Sequence, residues 1–210
     1  MKLYTLGMSP NALRVRAVVY ELGLDVEMAE VDFRNPEAKN ATLVPLNPNS
    51  KVPVLVDGDF VLWESRAINA YLASRKPESG LYPDDAKRRA VIDQWSYWHA
   101  IHLGPAMQRV AMERFVKAKF GMGEPDERAI EAGLKESAQF LKVLDDHLAG
   151  RDWVADALTI ADFNIASTFV FRVPAGMTLE GTPNVAAWIA RMESRPSWQK
   201  ATAPVTAFIG

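Results

Sequence analysis

Two serines in this 210-residue chain stand where a short polar side chain meets the first turn of a helix. Ser9 precedes Pro10, and the apolar positions Leu13, Val15, Ala17, Val18 and Leu22 that follow end at Gly23. Proline in the first turn and glycine past the last are the expected punctuation of a helix. Ser65 follows Glu64 and opens a second helical run to about Arg75. The start of a helix leaves backbone N–H groups unpaired, so a hydroxyl there can help to hold a carboxylate. The structural alternative is that each serine is only a cap, worth about 1 kcal/mol. Position alone leaves both readings open.

Other groups narrow the chemistry. There is no cysteine, which excludes disulfides, thiolate metal ligands and a protein thiol nucleophile. Trp95, Trp98, His99 and His102 fall on one helical face at i, i+3, i+4 and i+7, a stripe that reads first as core. Only three histidines occur and no carboxylate stands beside them at ligand spacing, so no metal site is expected. Thr159-x-x-Asp162 reads as a capping box with Asp for the usual Glu, and Leu158 and Phe163 flank it as an apolar staple. Asp162 is therefore expected to be structural. A net charge of -2 offers no overall basic surface for nucleic acid. No apolar run approaches the ~20 residues of a membrane span, and the start lacks a long apolar signal core; the expected location is the cytoplasm.

The elements that must position these residues come in two rhythms. Strand signals at Lys2 to Leu6, Val26 to Val31, Val52 to Val56 and Phe60 to Trp63 alternate with helices after Ser9 and Ser65. Asp57-Gly58-Asp59 reads as a tight hairpin, and the segment from Pro36 to Asn49 as irregular. The order βαβ then ββα makes a small mixed sheet with helices on its faces. After Lys76-Pro77-Glu78-Ser79-Gly80 the strand signal fades. Long helical patterns then occupy roughly Ala86 to Phe120, Asp126 to Leu148, Thr159 to Phe171 and Val185 to Glu193. Gly104-Pro105 is expected to kink or widen the first of these. The expected division is an α/β domain at 1–78, a linker at 79–87 and an all-α helical bundle at 88–210.

Five local motifs in register carry a resemblance. They are Asn47 through Leu55, Glu64-Ser65-Arg66-Ala67-Ile68, Leu81-Tyr82-Pro83, Leu158-Thr159-Ile160-Ala161-Asp162, and Pro183 through Trp188 followed by Met192-Glu193-Ser194-Arg195-Pro196. Together the chain resembles the glutathione S-transferase family over nearly its whole length, in the manner of bacterial serine-type members, theta/phi-like or nu-like. The resemblance implies a thioredoxin-like N-terminal domain, glutathione as co-substrate, a homodimer, and conjugation of the glutathione thiolate to small hydrophobic electrophiles. A glutathione-dependent peroxidase or disulfide-bond reductase is the alternative, and a non-catalytic interaction module the third reading.

The same resemblance assigns roles. Glu64 and Ser65 would hold the γ-glutamyl end, and Val52-Pro53, cis in the family, would pair with the cysteinyl main chain. Lys39 and Lys51 would meet the glycyl carboxylate, although Ala38-Lys39 lacks the histidine of the His-Lys pair in plant-type members. Ser9 would stabilise the thiolate; Asn11 is its rival, because some reductase-like members carry Thr-Pro-Asn there. Tyr4 lies inside its strand and is set aside. The electrophile pocket is expected to draw its walls from Met8, His102 and Met107.

Overall fold

The computed structural model describes residues 1–210 and divides them into two compact units, 1–83 with 195–210, and 84–194. In the first unit, β1 (Lys2–Thr5), α1 (Pro10–Glu21), β2 (Glu27–Glu30), α2 (Pro36–Leu43), β3 (Val54–Asp57), β4 (Phe60–Trp63) and α3 (Ser65–Ser74) follow in order. The sheet runs β2-β1-β3-β4; β1 and β2 are parallel and the other pairs antiparallel. This is the expected βαβ–ββα, thioredoxin-like arrangement. Gly58-Asp59 turns the hairpin, and Gly58 at φ 60° supplies the left-handed residue that a two-residue turn needs.

Helix α1 is buried on nearly every side, and Leu13, Val15, Ala17 and Val18 have no exposed surface. Such a helix must be covered all round. Helix α3 packs against it, and so does α10 (Pro196–Ile209), a helix the periodicity of the sequence did not announce. Two features hide α10: its interior Pro204, and a sequence position after the bundle. Glu21 at the end of α1 pins its start, accepting hydrogen bonds from Arg195 and the Ser197 hydroxyl. The expected assignment of 88–210 to the helical bundle is therefore corrected: residues 195–210 close the α/β unit, and the first division falls after Pro83. The irregular segment is corrected as well, since α2 is a true helix with Pro36 in its first turn and Asn35 Oδ1 accepting the Ala38 N–H at 3.1 Å.

The second unit is all helical: α4 (Ala86–Trp98), α5 (Gly104–Ala111), α6 (Lys117–Phe120), α7 (Glu127–Leu148), α8 (Ile160–Ala166) and α9 (Pro183–Glu193). A wide turn at His99–Leu103 joins α4 to α5 without ending the helix, as Gly104-Pro105 led us to expect. Pro105 has no N–H, and Gly104 donates to the His99 carbonyl five residues back. A Cβ on Gly104 would lie 2.8 Å from that oxygen, so only glycine fits. Asp162, fully buried, accepts from the Thr159 and Val154 N–H groups at 2.9 Å each and from Trp188 Nε1 at 3.0 Å. The capping box forms, and the carboxylate also staples α9 to the 149–159 loop. No helix is long and apolar enough to cross a membrane.

Candidate active site

Strand register gathers the predicted residues. Tyr4 faces Val54 across β1 and β3, and Val54 faces Trp63 across β3 and β4. The end of β1, the start of β3 and the end of β4 therefore lie side by side at one edge of the sheet. Three connections leave from that edge: the turn Leu6–Ser9, the pair Val52-Pro53 and the pair Glu64-Ser65. The Val52-Pro53 bond is cis. Val52 is half-buried over a small core of Val31, Leu43 and Val54. Asn47 holds the preceding loop, donating to the Lys51 carbonyl at 2.9 Å and accepting the Asn49 N–H at 3.0 Å.

Ser9 is the cap residue of α1, with φ -75° and ψ 121°. Its Oγ accepts the Ala12 N–H at 3.3 Å. That bond uses an oxygen lone pair and leaves the hydroxyl hydrogen to donate outward. Capping and donation are thus compatible in one side chain. Asn11, two positions on, is exposed in the first turn of the same helix.

The Glu64-Ser65 step carries the clearest mark of a built site. Glu64 sits at φ 71°, in a region that side-chain-bearing residues rarely occupy. Such a backbone costs on the order of 1–3 kcal/mol and persists where the surroundings over-determine it. Glu64 makes no side-chain cap bond, and Ser65 is the first helical residue of α3 rather than its cap, which corrects the simpler reading. Ser65 is buried and its Oγ accepts from Arg14 Nη1 at 3.3 Å. Asn69, one turn on, donates to the Arg14 carbonyl at 3.3 Å, so α1 and α3 are cross-linked beneath the site.

The charges around this step are unusual. Burial holds the Arg14 guanidinium well below its ordinary range, and the nearby Arg66 cation adds to that, against the pull of Glu64. Arg66 is lowered to about 10, again by burial first and against Glu64. Two poorly hydrated positive charges beside a helix N-terminus make a strong field for a carboxylate. The exposed Glu64 carboxylate is open to an ammonium. The edge can therefore hold a zwitterionic amino-acid end, with Val52-Pro53 beside it and the Ser9 hydroxyl at the third connection.

The remaining candidates scatter. Lys51 is exposed next to Val52, and Lys39 lies on α2 with its ammonium 5.3 Å from the centre of the Phe33 ring. Met8 is half-buried in the Leu6–Ser9 turn. In the helical unit His102 is exposed, its ring 5.1 Å from that of Phe140. Trp95 and His99 are buried and Trp98 half-buried, so the aromatic stripe is mostly packing. Met107 is sealed in the interior at 1% exposure, which corrects its expected place on a pocket wall. Arg14 was missed from sequence. The available signal was two arginines inside an otherwise apolar helix, Leu13-Arg14-Val15-Arg16-Ala17, where a buried cation needs partners. No group of three or more His, Cys, Asp or Glu residues is placed to hold a metal ion.

Comparison with known proteins points the same way. The family model for the glutathione S-transferase N-terminal domain matches residues 1–74, and that for the C-terminal domain matches residues 102–196. Glutathione S-transferase 3 of Zea mays is 36% identical over 211 residues, covering 98% of this chain and 94% of its own. Glutathione S-transferase I of maize, solved with an atrazine–glutathione conjugate, superposes with a TM-score of 0.85 at 30% identity, over 98% of this chain and 97% of that one. A theta-class enzyme from Xanthomonas axonopodis pv. citri, solved with glutathione bound, gives 0.85 at 27% identity over 96% of each chain.

Proposed function

The chain belongs to the glutathione S-transferase family and is an enzyme of that kind, with glutathione as its co-substrate; from this premise we propose that Ser9 generates the thiolate and that small hydrophobic electrophiles receive it. In this reading Glu64 and Ser65 take the γ-glutamyl ammonium and carboxylate, and the main chain at Val52-Pro53 pairs with the cysteinyl unit. Lys39 and Lys51 serve the glycyl carboxylate. The sulfur then lies near Ser9. The observation that carries the reading is the register that sets the Ser9, Val52-Pro53 and Glu64-Ser65 connections side by side.

Glutathione's thiol resembles free cysteine, with a pKa of about 8.5, so little thiolate exists at neutral pH. A hydroxyl donating to the charged sulfur contributes about 1.5–3 kcal/mol. That lowers the thiol pKa by about one to two units, enough to make thiolate a major species. The thiolate attacks the electrophile, a carbon–sulfur bond forms, and the leaving group departs with its electron pair. The hydrophobic nature of the acceptor is supported by the maize relative, whose bound ligand is an atrazine conjugate.

Two mutants test the donor. Ser9→Ala is expected to raise the pKa of bound glutathione by about one to two units and to cut conjugation at neutral pH by about ten- to a hundredfold. Asn11→Ala is expected to do less on both counts. Thiolate absorbance titration and turnover of an aryl halide measure them. The reverse order, with stronger turnover of peroxides or disulfides than of aryl halides, would instead support the reductase reading through Asn11. The enzyme is further expected to be a homodimer, as the family resemblance implies, with the α/β domain of one copy against the helical domain of the other. Light scattering at micromolar concentration should give twice the chain mass; a monomer mass refutes it.

A further inference from the structure

Arg16 has no place in the glutathione reading, yet it is the most elaborately bonded side chain near Ser9. It lies on α1 with 3% exposure. Its Nη1 donates to Thr5 Oγ1 at 2.9 Å and to the Leu6 carbonyl at 3.1 Å. Its Nη2 donates to the Gly7 carbonyl at 2.8 Å and to the Ala201 carbonyl of α10 at 3.2 Å. These four bonds use all four Nη hydrogens. The same turn is held elsewhere: Glu30 at the end of β2 accepts the Gly7 N–H at 2.6 Å, and Ser9 N–H closes on the Leu6 carbonyl at 3.0 Å. The turn runs close against α10 at Gly7, where an added Cβ would meet the Pro204 side chain at 2.9 Å.

A cation in this position is expensive. All four of its partners are neutral oxygens, and Nε has none. Burial depresses the guanidinium, and the Glu30 carboxylate is the largest effect opposing that. An apolar residue would fill the interior of α1 at lower cost, as replacements of buried charges commonly show. What an apolar residue cannot do is hold two consecutive carbonyls of a turn with a planar fork, and lysine cannot reproduce that fork either.

We propose that Arg16 is a positioning residue, locking the Leu6–Gly7 peptides to α10 so that Ser9 presents its hydroxyl in one direction, with Glu30 holding the opposite side of the Gly7 peptide. The inference rests on the reading of Ser9 as thiolate donor. It concerns the placement of that hydroxyl and not the fit of glutathione's amino-acid end, because Glu64, Ser65 and Val52 sit on other connections.

The test is Arg16→Lys and Glu30→Ala in the full-length protein, with Ser9→Ala alongside. Arg16→Lys is expected to lower kcat for an aryl halide by about tenfold, since small misplacement of a reacting group is costly. It should move the bound thiol titration upward by up to about one pH unit, while the glutathione KM stays within about threefold. Glu30→Ala removes an exposed side chain that accepts the Gly7 N–H, and is expected to shift kcat and the titration in the same direction by a smaller amount. If Arg16→Lys does not fold, Glu30→Ala decides alone. A merely structural role predicts a lower urea midpoint with kcat per folded molecule and the thiol titration at wild-type values, and that result in the folded variants overturns the proposal. Failure of Ser9→Ala to move the titration would instead remove the reading on which it rests.

Discussion

Replacing Glu64 and Ser65 together by alanine is expected to weaken glutathione binding by about 3 kcal/mol or more, roughly a hundredfold or greater in Kd. On the proposed reading two charge-assisted contacts are lost at once, one to the ammonium and one to the carboxylate of the γ-glutamyl end. Each is worth about 1.5–3 kcal/mol, and the ligand charges they leave behind must stay partly desolvated. The fold should survive, since the Glu64 side chain is exposed and Ser65 contributes one hydroxyl to Arg14. Calorimetric titration with glutathione and a thermal melt of the same variant separate the two effects. Unchanged affinity would refute the assignment, and a collapsed melt would call for the milder Glu64→Gln and Ser65→Ala singly.

Asp162→Ala is expected to destabilise the protein by about 3–5 kcal/mol, a large share of the roughly 5–15 kcal/mol that holds a domain folded. The carboxylate has no exposed surface and receives the Val154 and Thr159 N–H groups, the Trp188 indole N–H and the Thr159 hydroxyl. Alanine leaves these donors buried without an acceptor, at about 1–3 kcal/mol each, and such losses are not additive. Asp162→Asn keeps one acceptor oxygen but sets an amide N–H₂ against a donor, and should fall between. Urea midpoints at unchanged m measure both. Activity per folded molecule should remain at wild type; a selective loss of turnover with full stability would show that Asp162 acts in chemistry.

Some of this was legible in the residues and some was not, for physical reasons. Period and punctuation reveal elements whose own residues decide their conformation. The hairpin at Gly58-Asp59, the cap at Ser9 and the box at Thr159–Asp162 are of that kind. Helix α10 was not, because Pro204 interrupts its pattern and its stability comes from α1. That the connections at Ser9, Val52-Pro53 and Glu64-Ser65 leave neighbouring strand ends could not be read from the residues alone, since strand register is a tertiary property; only the family resemblance pointed to them. The strained backbone of Glu64 could not be read at all, because neighbours impose it and the glutamate does not prefer it. Met107 shows the opposite limit: helical spacing fixes a face, but not whether that face meets a ligand or the core.

The return of residues 195–210 to the α/β unit has a consequence for how the protein is made. A ribosome that has released residues 1–83 has released the sheet, α1 and α3, but not α10. The helical unit at 84–194 must be translated first, a delay of roughly 5–20 s at about 5–20 residues per second. Throughout that interval the side of α1 that α10 will cover stays open to solvent, and Arg16 lacks the Ala201 carbonyl. The helical unit, contiguous in sequence, can close on its own meanwhile. The Leu6–Ser9 turn therefore gains its tie to α10 last, after the contacts that Thr5, Arg16 and Glu30 supply from within residues 1–83.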